Sequence, residues 1–78
     1  MSEADLRGTI LAQVDALRPG TTCCPSRIAR NIAADWRPLM GPLRAAALSL
    51  AAEGRICVLQ NGTDAGPDPR GPIRLGRP

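Results

Sequence analysis

The stretch from Asp35 to Gln60 reads DWRPLMGPLRAAALSLAAEGRICVLQ, and its character changes at Gly54. Before this glycine the sequence is rich in Ala and Leu, which favour a helix, and a glycine commonly ends one. After it, Ile56 to Gln60 is short and apolar, and Asn61-Gly62 is a turn dipeptide. The order predicts a helix, its cap, a strand and a turn, and the rest of the chain is expected to pack on these elements.

The N-terminal segment predicts a first helix. Ser2 and Asp5 have the spacing of a capping box, and Arg18-Pro19-Gly20 is expected to stop the helix. Its apolar residues recur every three or four positions and form one stripe: Leu6, Ile10, Val14 and Leu17.

A second helix is predicted to begin at Pro25, since proline is tolerated at the first helical position. The preceding run, Thr21 to Cys23, is short and extended and is expected to lie beside a later strand. One arc of the helix is apolar and carries Ile28, Ala29, Ile32 and Ala33. The other arc carries Arg27 and Arg30, so this helix is expected to show solvent a basic edge.

The third helix is predicted to begin after Asp35, which is a good N-cap residue. Pro42 cannot donate the hydrogen bond to residue 38, so the sequence predicts either an irregular turn from Trp36 to Met40 or a kink at Gly41-Pro42. The inward face of this helix is expected to consist of Leu39, Leu43, Ala46, Ala47 and Leu50.

Residues 61–70 hold turn-forming residues in high density and are predicted to be a loop, and Pro72 to Leu75 a last short strand. Residues 76–78 are expected to fray. The prediction is therefore an α+β fold, a winged helix-turn-helix of three helices plus a small antiparallel sheet with a β-hairpin wing. It forms a single domain over residues 1–78.

Five short motifs resemble a known family: Cys24-Pro25-Ser26, Trp36-Arg37-Pro38-Leu39-Met40, Leu43-Arg44-Ala45-Ala46-Ala47, Leu50-Ala51-Ala52-Glu53-Gly54-Arg55-Ile56 and Arg70-Gly71-Pro72-Ile73-Arg74. Together they are similar to a family of short bacterial winged-helix proteins of unknown function, over about residues 6 to 75. The resemblance implies the fold and supplies no activity. Two positions depart from the family pattern: Arg27 stands where an acidic residue is usual, and Pro42 stands one residue later than its counterpart.

The charge pattern points to a polyanion or to coding bias. The formal net charge is +3, and all ten cations are arginine. A GC-rich genome produces such a composition without selection for a partner, so position matters more than the total. Residues 25–60 carry five arginines against two acids and residues 61–78 carry three against two, so the excess lies on the second helix, the third helix and the wing.

Composition also argues against other classes of function. The chain has no His, Lys or Tyr, so we expect no enzyme activity, and it has too few metal ligands for zinc, so we expect no metal and no cofactor. Three cysteines are an odd number, which predicts reduced thiols, with Cys23 or Cys24 as the alternative of a thiol switch. With no signal peptide and no apolar run of about 20 residues, the protein is expected to be cytoplasmic, with no membrane partner.

The first function predicted is that of a small DNA-binding protein, a transcriptional regulator, whose affinity for double-stranded DNA comes mainly from phosphates. The candidate phosphate contacts are Arg27, Arg30, Arg37, Arg44, Arg70 and Arg74. For base edges the third helix offers only Arg44 and Ser49. The alternative is structural: Arg37 packs against Trp36 or pairs with a carboxylate, Arg74 braces the hairpin, and Trp36 fills the core rather than stacking on a base.

The second function predicted is that of a protein-interaction or dimerisation module without DNA binding. The outward face of the third helix is small and apolar: Gly41, Ala45, Leu48 and Ala52. Small residues let two backbones approach closely, and Leu48 is expected to be an exposed apolar knob, so this face favours a homodimer or another protein partner.

Overall fold

Three helices and four short strands follow one another along residues 2–78, which the computed structural model describes. The helical elements are α1 (Glu3–Asp15), α2 (Pro25–Ile32), a 3-10 helix (Arg37–Leu39) and α3 (Met40–Ala52), and the strands are β1 (Thr22–Cys23), β2 (Cys57–Gln60), β3 (Thr63–Asp64) and β4 (Arg74–Gly76). The fold is α+β with the element order of a winged helix, as predicted. None of the helices within residues 2–78 has the length and apolar character that a bilayer span requires.

The four strands form one antiparallel sheet in the order β1-β4-β2-β3. Leu75 of β4 lies between Cys23 of β1 and Val58 of β2, and all three side chains are buried. This row is the inner face of the sheet, against the helices. The short run after α1 is therefore a strand beside a later one, as the sequence predicts.

The core consists of most residues of the predicted apolar faces, whereas four residues predicted to lie on those faces are only half-buried: Leu17, Ile32, Ala33 and Leu39. Its helical members are Leu6, Ile10, Val14, Ile28, Ala29, Leu43, Ala46, Ala47 and Leu50, and Ile56 and Ile73 join them from the sheet side. Ala46 and Ala47 are almost completely buried, and such small side chains let α3 approach its neighbours closely.

The predicted capping box of α1 is also present, since Ser2 Oγ accepts from the Asp5 amide at 3.2 Å and the Asp5 carboxylate accepts from the Ser2 amide at 3.4 Å.

The start of α3 differs from the prediction at Asp35 and agrees with it at Pro42. Asp35 is not an N-cap: Trp36 occupies that position for the 3-10 helix and Leu39 for α3. The irregular turn expected from Trp36 to Met40 is the 3-10 helix, in which the Leu39 amide donates to the Trp36 carbonyl at 3.0 Å. Because α3 begins only at Met40, Pro42 falls in its first turn, where a missing N–H leaves no bond unmade.

The end of α3 is a Schellman motif centred on Gly54, which confirms the predicted cap. Gly54 has a φ of +76°, its amide donates to the Ala51 carbonyl at 3.0 Å, and the Arg55 amide donates to the Leu50 carbonyl at 2.9 Å. The chain thus leaves the helix with its last carbonyls partly satisfied and enters β2.

Substituting Gly54 by Ala is expected to lower the free energy of unfolding by about 1 kcal/mol, because a side chain disfavours this left-handed backbone. Gly8 is the matched control, since it is exposed within α1, and a Cβ added there meets nothing within 4 Å. Gly8→Ala is expected to raise the free energy of unfolding by about 0.5–1 kcal/mol through helix propensity. Urea denaturation followed by circular dichroism measures the free energy of unfolding of both variants. If the two substitutions changed it in the same direction, this account would be contradicted.

The C-terminal part of the sheet differs from the prediction in two places. The predicted loop 61–70 contains β3, which pairs with β2 across a tight turn at Asn61 and Gly62. The last strand covers Arg74–Gly76 rather than Pro72 to Leu75, because Pro72 has no N–H to donate to a ladder. Gly76 is paired with Thr22 and Cys57 and is buried, so strand pairing extends one residue into the segment 76–78 that the sequence predicts to fray.

Candidate nucleic-acid interface

Most arginine side chains form no ion pair with an acid of residues 2–78. Within residues 2–78 the single ion pair joins Arg7 to Glu53, with 2.7 Å between the guanidinium nitrogen and Oε1. The other nine of the ten arginines therefore have no carboxylate within ion-pair distance in that part of the chain. Direct ion pairing with acids of residues 2–78 therefore engages only Arg7.

The Arg7–Glu53 pair ties α1 to the end of α3 and also engages Ser49. Arg7 donates a hydrogen bond to Ser49 Oγ at 3.1 Å, and Ser49 is half-buried. Ser49, which the sequence predicts to address base edges, therefore lies at this contact between α1 and α3. The hydrogen bond from Arg7 lowers the pKa of the Glu53 carboxyl group below its ordinary value, while the same bond raises the pKa of Arg7.

Because the pKa of Glu53 is lower in the folded chain, its ionisation stabilises the fold above the ordinary carboxyl value of about 4.3. This contribution is lost as the pH falls through the lowered pKa. We expect the difference in urea midpoint between the wild type and Glu53→Gln to be largest at neutral pH and to shrink below about pH 4. A difference that stays constant down to pH 2 would show that ionisation of Glu53 is not its source.

Two arginines make cation–π contacts with the single aromatic ring of the protein. The guanidinium carbons of Arg30 and Arg37 lie 4.7 Å and 4.8 Å from the centroid of the Trp36 ring. Trp36 is half-buried and packs against the core, as predicted, so its ring fixes both cations. Each contact is of the kind that contributes about 0.5–1 kcal/mol at an exposed site. Arg27, one turn earlier on α2, is also exposed.

Two side chains hold residues 69–72, which we call the clipped loop. Arg44 of α3 donates to the carbonyl oxygens of Pro69 and Gly71 at 2.7 Å and 2.8 Å. Gln60 of β2 donates to the carbonyls between and after them, those of Arg70 and Pro72. Four successive carbonyls are thus bound from within the protein, and the exposed side chain of Arg70 is carried on a fixed backbone.

Arg44 and Arg74, both predicted to contact phosphates, are engaged within the protein. Arg44 is half-buried, and its two terminal nitrogens donate to carbonyl oxygens of the clipped loop. The side chain is still charged, but its guanidinium group holds this loop in place. Arg74 donates from Nε to Thr22 Oγ1 at 2.7 Å and from a terminal nitrogen to the Thr22 carbonyl at 2.9 Å, which ties β4 to β1. Since Leu75 points into the core, Arg74 projects from the opposite face of the sheet.

The outer face of α3 presents almost no hydrogen-bonding groups. Gly41, Ala45 and Ala52 are exposed, whereas Leu48 is half-buried and packs against the core, so it is not the exposed knob that the sequence predicts. Leu48 lines a groove of about 440 Å³ because β2 and the run after β3 fold over the end of α3. A homodimer through this face stays a prediction, which sedimentation of Ala45→Glu tests.

The cysteines differ in environment. Cys23 is buried in the sheet, and burial raises the pKa of its thiol. Cys24 is the N-cap of α2, and its hydrogen bond with the Ser26 hydroxyl, at 3.2 Å, lowers the pKa of its thiol. Of the two thiols named from the sequence, Cys24 is therefore the more readily ionised. Within residues 2–78 no three His, Cys, Asp or Glu side chains are grouped to hold a metal.

Comparison with known proteins finds one family. Residues 3–78 match a family described as "Protein of unknown function (DUF3253)". No curated protein matches the chain.

Proposed function

Because the chain belongs to this DUF3253 family over almost its whole length, and the family has no assigned function, we propose a function from the geometry of the arginines alone. The protein binds double-stranded DNA through its phosphates, largely independently of base sequence. Eight exposed arginines have no acidic partner in residues 2–78. The observation that carries this proposal is that four of them lie on α2, on the 3-10 helix and in the clipped loop: Arg27, Arg30, Arg37 and Arg70.

The contacts of Trp36 and Arg44 support a continuous path through these cations. Arg30 and Arg37 meet at the Trp36 ring. Arg37 lies in the 3-10 helix that leads directly into α3, which carries Arg44. Arg44 in turn binds the carbonyls on both sides of Arg70. A duplex carries one phosphate charge per about 1.7 Å of axis, so a path of cations suits its backbone.

The lack of polar groups on the outer face of α3 supports backbone binding rather than base reading. Base edges are addressed by Arg, Asn, Gln and similar side chains, and this face offers Gly and Ala. Ser49 already accepts a hydrogen bond from Arg7. A role in transcription regulation, which the sequence also predicts, then requires a partner that selects the DNA sequence.

A salt titration tests this proposal. Fluorescence anisotropy of two labelled duplexes of unrelated sequence is measured at several salt concentrations between about 25 and 300 mM. Four phosphate contacts predict a slope of about 3 to 4 in log Kd against log salt, and the two sequences should bind within a few-fold of each other. Absence of binding at the lowest salt, or binding that salt does not weaken, would refute it.

A further inference from the structure

We propose that Arg30 and Arg37, held against the ring of Trp36, form one binding site for a phosphate group. The inference rests on the proposed function in one respect, since it uses two of the four arginines assigned there to the DNA backbone. It goes further in naming a discrete site with a ligand chemistry, a tetrahedral oxyanion with several acceptor oxygens. A nucleic-acid backbone or a small phosphorylated molecule can supply that group.

The first argument is the proximity of two like charges. Since each guanidinium carbon lies within 4.8 Å of the ring centroid, the two are at most about 10 Å apart. Within residues 2–78 neither side chain has a carboxylate at ion-pair distance, although Asp35 is next to Trp36 in the chain. A phosphate bound beside the ring would therefore be attracted by two cations that no carboxylate of residues 2–78 pairs with.

The second argument is the availability of the hydrogen-bond donors. A guanidinium carries five N–H donors in its own plane, and a contact with one ring face cannot use them all. Phosphate oxygens accept bonds from a guanidinium edge, often two at a time, so the remaining donors are available to a phosphate. Arg30 and Arg37 donate no side-chain hydrogen bond to any group within residues 2–78, whereas Arg7, Arg44 and Arg74 all do.

The third argument is order. Trp36 packs against the core, and its position between α2 and α3 is set by the 3-10 helix. Arginine side chains lose rotamer freedom when they bind a ligand, and stacking on a fixed ring removes part of that freedom beforehand. Trp36 is thus a positioning residue for the two guanidinium groups.

The experiment uses Trp36 as its own reporter. The chain contains one Trp and no Tyr or Phe, so intrinsic fluorescence comes from this site alone. The full chain, in a low-salt buffer free of phosphate, is titrated with inorganic pyrophosphate and, in a separate arm, with an unlabelled duplex of about 20 base pairs. We expect saturable changes in emission in both arms, and no change with sodium chloride at equal ionic strength.

The variants separate this site from general charge. Arg30→Gln and Arg37→Gln are each expected to weaken pyrophosphate binding about tenfold or more, because a charge-assisted bond is removed. Arg37→Lys keeps the charge but loses the planar edge and should also weaken it. Arg18→Gln removes the same charge from an exposed position after α1 and should change it less than about twofold. Asp35→Asn, which removes a nearby negative charge, should tighten binding a few-fold.

The outcomes distinguish this inference from the proposed function. Pyrophosphate binding that depends on Arg30 and Arg37, without duplex binding, supports the phosphate site and refutes DNA binding. Duplex binding that Arg18→Gln and Arg30→Gln weaken equally supports DNA binding and overturns the site. An emission spectrum unchanged by pyrophosphate up to about 10 mM, in a chain that circular dichroism shows to be folded, also overturns it.

Discussion

Simultaneous substitution of Arg27, Arg37 and Arg70 by Gln is expected to weaken duplex binding by roughly 100- to 1000-fold at about 50 mM salt. The three arginines take one cation from α2, one from the 3-10 helix and one from the clipped loop. Removing each phosphate-binding arginine should also lower the salt slope by about 0.9, so the slope of the triple variant should fall by about 3. Anisotropy with a labelled duplex measures both quantities.

The control for this variant has the same net charge. Arg18, Arg55 and Arg77 are exposed and belong to other parts of the fold: the segment after α1, the end of α3 and the C-terminus. Substituting these three by Gln should weaken binding about tenfold or less through the general field alone. Equal losses of affinity in the two triple variants would show that total charge, and not the path of cations, accounts for binding.

Of the single substitutions predicted to affect stability, Leu43→Ala is expected to cause the largest fall in the free energy of unfolding, about 3 kcal/mol. Leu43 is fully buried on α3, and removing its branched end leaves a cavity among side chains of the core. A chain of this length has a total free energy of unfolding of about 4–12 kcal/mol, so the variant should lose between about a quarter and three quarters of it. With a urea dependence of about 1 kcal/mol per molar, the midpoint should fall by about 3 M.

Leu48→Ala, on the opposite face of the same helix, is the matched control. It removes the same atoms from a half-buried position with the same helix propensity change, so its cost should be less than half that of Leu43→Ala. Equal costs would mean that Leu48 belongs to the core as fully as Leu43. A negligible cost at Leu43 would contradict the description of the core.

Local chemistry made much of this fold predictable. The stripe of Leu6, Ile10 and Val14 has the helical period, and these side chains are buried. Pro25 begins α2, and Gly54 ends α3, because each residue type suits one end of a helix. Such signals lie within a few residues of the feature that they determine, so one sequence is enough to find them.

The structure differs from the prediction at features that depend on residues farther along the chain. Asp35 is a suitable residue type for an N-cap. The 3-10 helix begins only after Trp36 and α3 begins at Met40, so Asp35 precedes both elements and caps neither. Strand β3 is two exposed polar residues, too short for any alternation to be visible. Its existence depends on pairing with β2 across the turn.

The sequence predicts which arginines are candidate cations of the site, but not which groups of the protein those arginines contact. The sequence identifies arginines of α2, α3 and the wing, but nothing in the spacing of Arg44, Gln60 and residues 69–72 shows that these residues meet. Sequence reasoning misses Arg7 and Gln60, because each acts on a partner far away in the chain, Glu53 in the first case. The stacking of Arg37 on Trp36 is one of the alternatives that the sequence predicts, since the two are adjacent.

Trypsin cleaves after arginine, and Arg70 is an exposed arginine in a loop that has the residue types proteases prefer. A protease must draw several residues into its cleft as an extended strand and pair with their main-chain groups. At residues 69–72 those carbonyl groups are already occupied by Arg44 and Gln60. Digestion at Arg70 therefore requires local opening of the protein first, so the loop can expose its side chain without becoming a point of cleavage.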